Sequence, residues 1–400
     1  MFGLSQCISR LFVSRSAACG AVALTACLAL PSAQAQVFHS QQHDFRVVTV
    51  VEGLENPWSM AWLPNGDMLV TERPGRLRII RNGVLSNTSV AGVPMARVGG
   101  QGGLQEVAVH PDFESNRLLY LSYAQGNADN SEGTTVVIRG RFDNDRLSDV
   151  EEIFRAKAWS QTSGHYGARL AFDGNGYLFI SVGDRQAPPA GDLSAHPAQD
   201  PTNHQGTIVR LHDDGRVPDD NPFVGRPNML PEIWSYGHRN PQGLVVHPET
   251  GDVWETEHGP QGGDELNLIL PGRNYGWPVI GYGVNYRSGL PIHDTPAQAG
   301  LEQPLAFWVP SIAPSGLMIY TGDKFPMWQG NVFVGGLSAQ HQRLSRVMID
   351  GRHVLDREAL LSGELRIRDV RQGPDGYIYI AVDNRVGLPT PIVRLEPADE

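Results

Sequence analysis

Cysteine is almost missing from this 400-residue sequence. The chain has three cysteines, Cys7, Cys19 and Cys27, and all of them lie within the first 35 residues. Residues 36–400 therefore form no disulfide, and they offer neither a thiolate nucleophile nor a cysteine ligand for a metal. A domain without cysteine agrees with an oxidising compartment, where stray thiols are a liability.

Long hydrophobic runs are also missing, apart from residues 17–30, whose roughly fourteen residues are too short to cross a bilayer core of about 30 Å. Arginines precede this run and Ala33-Gln34-Ala35 follows it, as in a secretory signal with a small-residue cleavage site. We therefore predict a signal peptide over residues 1–35 and a periplasmic or secreted protein. Leu24-Thr25-Ala26-Cys27 also fits the pattern before a lipid-modified cysteine, so lipoprotein anchoring at Cys27 is a less favoured alternative.

Positive charge is scarce. The 32 Lys and Arg are outnumbered by 43 Asp and Glu, and two of the 32, Arg10 and Arg15, lie in the predicted leader. Binding to a phosphate backbone needs a basic face, so we predict no nucleic-acid partner. An acidic surface suits a small uncharged ligand or one whose binding a cation assists.

No Pro/Ser-rich linker divides residues 36–400, so a single domain is favoured over two. A unit of strand, turn and strand recurs within it. The six copies are Trp58–Thr71, Leu104–Ser122, Ala168–Val182, Gly243–Thr256, Ser315–Gly335 and Ile367–Val382. One hairpin alone is marginally stable in water, so the copies must bury their apolar faces against one another.

These repeats predict an all-β protein with the fold of a six-bladed β-propeller. The strand near Arg46–Val51 and the terminal strand Ile392–Leu395 would share one blade and close the ring. A β-sandwich is the alternative fold, but it does not explain the repeated unit.

Loops that connect propeller blades converge at one end of the central channel, so polar residues beside the repeated strands are candidate site residues. His165 precedes the third repeat, and Asp184 follows its second strand. A general base and its orienting carboxylate require these two residue types. The plain alternative is a loop histidine that bonds a backbone carbonyl.

Two further clusters flank the fourth repeat. Arg239 and Asn240 precede it, and a guanidinium there suits a carboxylate or a quinone-type oxygen, or ties one blade to the next. Residues 257–267 follow it as a Gly/Pro loop with Asp and Glu. Calcium prefers such oxygen ligands, whereas the absence of cysteine and of paired histidines disfavours zinc. The alternative is an acidic surface turn.

Arg366 and Arg368 open the sixth repeat. Side chains alternate along a strand, so both guanidiniums face the same side and repel each other unless an anion lies between them. A polycarboxylate ligand would meet that need through bidentate bonds. The alternative is an Asp or Glu from a neighbouring blade.

From about Gly53 to the C-terminus, the sequence resembles the soluble aldose-sugar dehydrogenases that use pyrroloquinoline quinone (PQQ). Four signatures carry the resemblance. They are Gly100-Gln101-Gly102-Gly103-Leu104 with His110-Pro111-Asp112-Phe113, Gly164-His165 with Arg169, Gly237-His238-Arg239-Asn240-Pro241-Gln242-Gly243, and Arg366-Ile367-Arg368-Asp369-Val370.

The resemblance implies that PQQ lies over the centre of the propeller with a calcium ion beneath it. His165 would be the general base for the C1 hydroxyl of an aldose, with Asp184 orienting it and Arg239 in the same catalytic set. The implied cofactor contacts are Gln101, Arg239, Asn240, Tyr286, Arg366 and Arg368, the carbonyls of Gly259 and Pro260 would hold the calcium, and Glu265 with Tyr275 would form a second calcium site. The products would be a lactone and reduced PQQ, which a soluble or membrane-associated electron acceptor reoxidises.

The sequence departs from this family where many members have a lysine, since Gly335-Gly336-Leu337 is followed here by Ser338. One charge-assisted contact is therefore missing, which weakens binding by about ten- to a hundred-fold. Arg343 is a possible replacement.

Two rival functions remain at this stage. A calcium-dependent sugar lactonase would need the metal and a base, but no arginine pair. A non-catalytic propeller that binds a partner or glycan would need no base. The sequence leaves the preferred sugar open, and it is compatible with a monomer or a homodimer.

Overall fold

A computed structural model of the chain describes residues 36–398. The predicted signal peptide and Cys27 lie outside these residues. Helix is confined, in the described part, to the α-helical turn Phe113–Asn116 and the 3-10 turns Leu193–Ala195, Pro197–Gln199 and Pro326–Trp328. No helix between residues 36 and 398 combines the length and the apolar character that a membrane span requires.

The strands form six antiparallel sheets, which we call blades 1 to 6. Blade 1 contains Pro57–Trp62, Met68–Glu72, Arg76–Arg81 and Val84–Leu85, and blade 2 contains Leu104–Val109, Leu118–Gly126, Gly133–Asp143 and Arg146–Arg155. Blade 3 contains Leu170–Phe172, Tyr177–Val182, Thr207–His212 and Ile233–Tyr236, and blade 4 contains Pro241–Val246, Val253–Glu257, Asp264–Ile269 and Ala306–Trp308. Blade 5 contains Pro314–Ile319, Val332–Gly336, Leu344–Asp350 and His353–Leu360, and blade 6 contains Ile367–Gln372, Ile378–Val382, Pro389–Pro397, Phe45–Glu55 and Val37–Phe38.

The first strands of consecutive blades contact each other all the way round, and the first strand of blade 6 contacts that of blade 1. The blades therefore form a closed ring, and the predicted six-bladed propeller is confirmed. Each predicted repeat corresponds to the two inner strands of one blade. The fifth differs in its connection, because residues 320–331 include a 3-10 turn rather than a tight turn at Thr321-Gly322-Asp323.

Blade 6 joins the two ends of the domain. Phe45–Glu55 pairs with Pro389–Pro397 in antiparallel register, with Arg46 opposite Glu396 and Val51 opposite Ile392. The predicted sharing of one blade by the first and last strands is thus confirmed. The pairing gives the last strand an outer neighbour, without which it would present an open sheet edge.

The space between neighbouring blades is filled with apolar side chains. Between blades 2 and 3, for example, Tyr120 and Val137 pack with Leu170 and Ile180, and all four are fully or almost fully buried. Their strands are rich in β-branched and aromatic residues, which suit a pleated sheet with both faces covered. Burial of these faces stabilises each blade only in the presence of the next.

A buried ion network lies where the first strands meet. Arg169, immediately before the first strand of blade 3, pairs with Glu106 of blade 2 at 2.8 Å and with Asp369 of blade 6 at 2.9 Å. Its Nε donates to the carbonyl of Gln242 in blade 4 at 2.6 Å. Arg371 pairs with the same two carboxylates at 2.6 and 2.9 Å. One guanidinium therefore connects four blades at the centre of the ring.

Candidate active site

His165 and Asp184 form a buried pair beside the first strands. The imidazole Nδ1 lies 2.6 Å from Asp184 Oδ1, and the two side chains are 9% and 1% exposed. Trp277 Nε1 donates to the other carboxylate oxygen at 2.8 Å, and the backbone N–H of Gln186 donates to Oδ1 at 2.8 Å. Asp184 is therefore fixed from three sides and holds the imidazole in one orientation.

The backbone of His165 is held in an unusual conformation. Its φ of +49° lies in the left-handed region, which residues other than glycine seldom adopt. Its N–H donates to Gln101 Oε1 at 2.8 Å. Gly164 lies so close to Gln186 that an added Cβ would approach its side chain to 2.4 Å. Such strain persists only where the surroundings enforce it, and it is concentrated at functional sites.

The surroundings keep the imidazole neutral. Burial lowers the pKa of His165, and the positive charge of Arg239 acts in the same direction, whereas Asp184 opposes both by raising it. For Asp184, burial acts to raise the pKa, but His165, Arg239 and Trp277 together leave it below its usual value. The pair thus consists of a carboxylate and a neutral imidazole. If Nδ1 carries the proton, Nε2 is free to accept one.

A cavity of about 770 Å³ opens next to this pair. Five of the six predicted cofactor contacts line it, namely Gln101, Asn240, Tyr286, Arg366 and Arg368. Ser338, which stands at the position of the missing lysine, lines it as well. His165 is not a lining residue but adjoins the cavity through Gln101. This volume lies within the range of ordinary ligand pockets.

The two arginines of blade 6 share one carboxylate. Arg366 Nη1 bonds Asp383, and Arg368 Nη2 lies 3.8 Å from the same carboxylate. Arg368 Nη1 also donates to Gln242 Oε1 at 2.9 Å. The partner predicted for this pair is an anionic ligand or, as the alternative, an acid of a neighbouring blade. The alternative is wrong about the blade that supplies the acid, because Asp383 directly follows the strand Ile378–Val382 of the same blade.

Arg239, the sixth predicted cofactor contact, is directed at backbone carbonyls. Its Nη1 donates to Gly259 O at 2.7 Å and to His258 O at 3.0 Å. The guanidinium carbon lies 5.2 Å from the centre of the Trp277 ring, which in turn bonds Asp184. Arg239 is therefore connected to the His165–Asp184 pair.

All four predicted metal residues, Gly259, Pro260, Glu265 and Tyr275, line a second cavity of about 20 Å³ together with Arg239. This volume is enough for one water molecule or one ion. The Tyr275 hydroxyl is already bonded to the backbone at Leu268 and Leu270, which leaves its carbonyl as the available ligand.

Glu257 and Glu265 line this small cavity, and Glu255 lies beside them on the same sheet. Asn267 Nδ2 donates to Glu255 at 3.2 Å, to Glu257 at 3.4 Å and to Glu265 at 3.2 Å. Glu257 and Glu265 are direct cross-strand neighbours, an arrangement that is unfavourable for like charges. Burial and the charge of Glu257 raise the pKa of Glu255 and Glu265 well above the usual range. A cation in the cavity would relieve this repulsion.

Arg343 does not reach the main cavity. It lines a separate one with Phe307 and Trp308, and its Nε donates to the carbonyl of His341. The suggestion that it replaces the missing lysine is therefore not supported.

Sequence reasoning missed several residues of the site. Asp383 and Arg73 each follow the second strand of a blade, so the rule that identified Asp184 would also have selected them. Trp277 comes from the long connection 270–305, which carries no repeat, and its contact with Asp184 has no sequence signal. Trp58 lies in a strand, and the guanidiniums of Arg169 and Arg368 lie 4.2 and 5.9 Å from its ring centre.

Residues 54–393 match the model of the glucose/sorbosone dehydrogenase family. The chain therefore belongs to this family, which confirms the resemblance found in the sequence and the predicted enzyme class, a sugar dehydrogenase.

Individual proteins that are similar to this chain are also sugar dehydrogenases. An aldose sugar dehydrogenase of Escherichia coli is 42% identical over 351 residues, which cover 85% of this chain and 91% of that protein. The apo-form crystal structure of the soluble aldose sugar dehydrogenase from Escherichia coli matches with a TM-score of 0.81 and 39% identity, over 88% of this chain and 99% of that one. The PQQ-bound form of an aldose sugar dehydrogenase from Streptomyces coelicolor matches with a TM-score of 0.70 and 28% identity, over 88% and 98%.

Proposed function

We propose that this chain is an exported quinoprotein that oxidises the C1 hydroxyl of aldose sugars to lactones with PQQ as the hydride acceptor. The observation that carries the proposal is the buried His165–Asp184 pair beside a cavity lined by arginines. The PQQ-bound relative supports the choice of cofactor. The arginines disfavour a lactonase, which has no need of them, and the constrained base disfavours a purely binding role.

The residues present fit a polycarboxylate quinone. Arg366 and Arg368 face the cavity and share only Asp383, so they retain positive charge for an anionic ligand. Asn240 and Gln101 add neutral polar groups to the cavity lining. When PQQ is bound, the cofactor supplies the hydride-accepting carbon and the electron sink, while the protein supplies binding and orientation.

The protein's own step is proton removal. The neutral imidazole of His165 accepts the proton of the C1 hydroxyl at Nε2, while the hydride leaves C1 and the lactone carbonyl forms. Asp184 holds the ring by its Nδ1 bond and stabilises the imidazolium that results. Arg239 would contribute positive charge near the developing oxyanion.

We place calcium near Gly259 and Pro260, with a second ion held by Glu265 and the carbonyl of Tyr275. Pro260 lines both the main cavity and the cavity of about 20 Å³. Arg239 occupies one lone pair of the Gly259 carbonyl, which leaves the other for a cation. Carboxylates and carbonyls are the ligands that calcium prefers.

We predict that activity depends on added PQQ and on added calcium. Residues 36–400, prepared without cofactor and treated with chelator, should reduce a dye with glucose only after PQQ and calcium are supplied. Dye reduction and PQQ binding by calorimetry are measured in parallel. Activity without PQQ, or lactone hydrolysis with calcium alone, would contradict the proposed reaction. A panel of aldoses then gives the preferred sugar.

Asp184→Asn should shift the pH profile. Asp184 raises the pKa of His165, so its loss lowers that pKa further. The acid limb of kcat, which reports protonation of the base, should therefore move to lower pH. The plateau should fall by about 10- to 100-fold, because one charge-assisted hydrogen bond is lost.

The check is a pH–kcat profile of both proteins at saturating PQQ and sugar. A shift of the limb to higher pH would mean that Asp184 does not act on the base as described.

A further inference from the structure

The main cavity carries more positive charge than the predicted contacts supply. Four arginines line it, Arg73, Arg366, Arg368 and Arg385, and Asp383 is the single carboxylate among the lining residues. This is unusual in a chain with a formal net charge of −11. Like charges gathered at one cavity wall favour an anion.

Arg73 has the firmest position among the arginines outside the predicted set. It directly follows the strand Met68–Glu72 of blade 1 and is half-buried. Its N–H donates to Asn56 O at 3.0 Å, and its carbonyl accepts from Leu104 N at 3.1 Å. An added Cβ at Gly103 would approach Arg73 O to 2.1 Å, so a glycine is needed for this close contact. The backbone of Arg73 is thus fixed at the cavity edge.

The Arg73 guanidinium lacks an acidic partner. Within residues 36–398 it makes one hydrogen bond, from Nη1 to the carbonyl of Gly100, and no ion pair. Arg366, in contrast, is paired with Asp383, and Arg368 lies near it. Arg385 is exposed, which makes its position less defined.

The positive charge of Arg73 acts on the neighbouring arginines of the cavity. Burial is the main cause that lowers the pKa of Arg368 to about 9. The charge of Asp383 raises this pKa, whereas the charges of Arg366, Arg169 and Arg73 lower it further. A ligand with several carboxylates would offset the repulsion. Ser338, on another part of the same cavity wall, provides no cation.

We propose that Arg73 binds a carboxylate of the polyanionic ligand in the main cavity, an inference that rests on the proposed function. Its free Nη2 and Nε are the donors for a charge-assisted bond. The bond from Nη1 to Gly100 keeps the fork directed along the loop that carries Gln101. Arg73 is thus a specificity residue for the anionic cofactor, contributed by blade 1, whereas the lysine position belongs to blade 5.

The test is calorimetric titration of the calcium-loaded protein with PQQ and, separately, with benzene-1,3,5-tricarboxylate. Arg73→Gln should weaken PQQ binding by about 10- to 100-fold and should reduce its dependence on salt, because an ionic contact is lost. Arg73→Lys should recover part of the affinity. Arg141→Gln removes an exposed arginine of blade 2 that does not line the cavity, so it should match the wild type.

The salt dependence of PQQ affinity distinguishes two roles of Arg73. If Arg73 only supported the loop through Gly100, its replacement would leave this salt dependence unchanged. If Arg73→Gln binds PQQ like the wild type, or if its salt dependence is unaltered, the inference is overturned and the proposed function stands. If the wild type binds the tricarboxylate in an Arg73-dependent way but not PQQ, the inference stands and the choice of cofactor fails. Binding of neither probe overturns both.

Discussion

His165→Ala should lower kcat by about 10²- to 10⁴-fold, because a positioned general base contributes that much to proton transfer. PQQ affinity should change little, since His165 is not a lining residue of the main cavity. Steady-state dye reduction gives kcat, and calorimetry gives the dissociation constant for PQQ. The large effect on turnover with intact binding distinguishes a base from a residue that merely supports the fold.

His353→Ala is the matched control, because His353 is an exposed histidine on the outer strand of blade 5. It should leave both quantities unchanged. Retention of more than about a tenth of the wild-type kcat by His165→Ala would exclude His165 as the base, given the contribution expected of such a group. In that case the Asp184 contact would have only a structural meaning.

Arg169→Met should destabilise the ring by about 3–5 kcal/mol, the usual result of removing one partner from a buried ion pair. Arg169 is 1% exposed and is paired with Glu106 and Asp369. Without it, these two buried carboxylates share Arg371 alone, and the carbonyl of Gln242 loses its donor. The free energy of unfolding in urea is the quantity to measure.

The comparison for Arg169 is Arg352→Met, which breaks an exposed pair with Asp252. Surface pairs contribute about 0–1 kcal/mol, so this variant should unfold near the wild-type urea concentration. Equal losses in the two variants would show that the central network does not hold the blades together. Circular dichroism before unfolding confirms that both variants have folded.

The inner half of each blade was predictable from the sequence, and the outer half was not. Apolar segments on either side of a turn motif identify the first two strands, because neighbouring blades cover both faces of these strands. Outer strands such as Arg146–Arg155 face solvent along much of their length, and their burial pattern lacks a regular period. Their register also shifts twice, which removes the alternation that sequence reasoning requires.

The candidate site likewise contains residues that the sequence identifies and residues that it does not identify. His165, Asp184 and Arg239 follow from motifs and from their positions beside strands, and the structure brings them together. The three-glutamate cluster could not be predicted, because it depends on the cross-strand register that places Glu257 opposite Glu265. The partner of the arginine pair was also open, since a sequence does not state whether Asp383 or a ligand lies between two guanidiniums.

The pairing of Phe45–Glu55 with Pro389–Pro397 has a consequence for the order of events during synthesis. Apart from its short pairing with Val37–Phe38, the strand Phe45–Glu55 has no partner until almost the whole chain has left the ribosome. Five blades can associate earlier, but the ring has no closing strand before the final residues arrive.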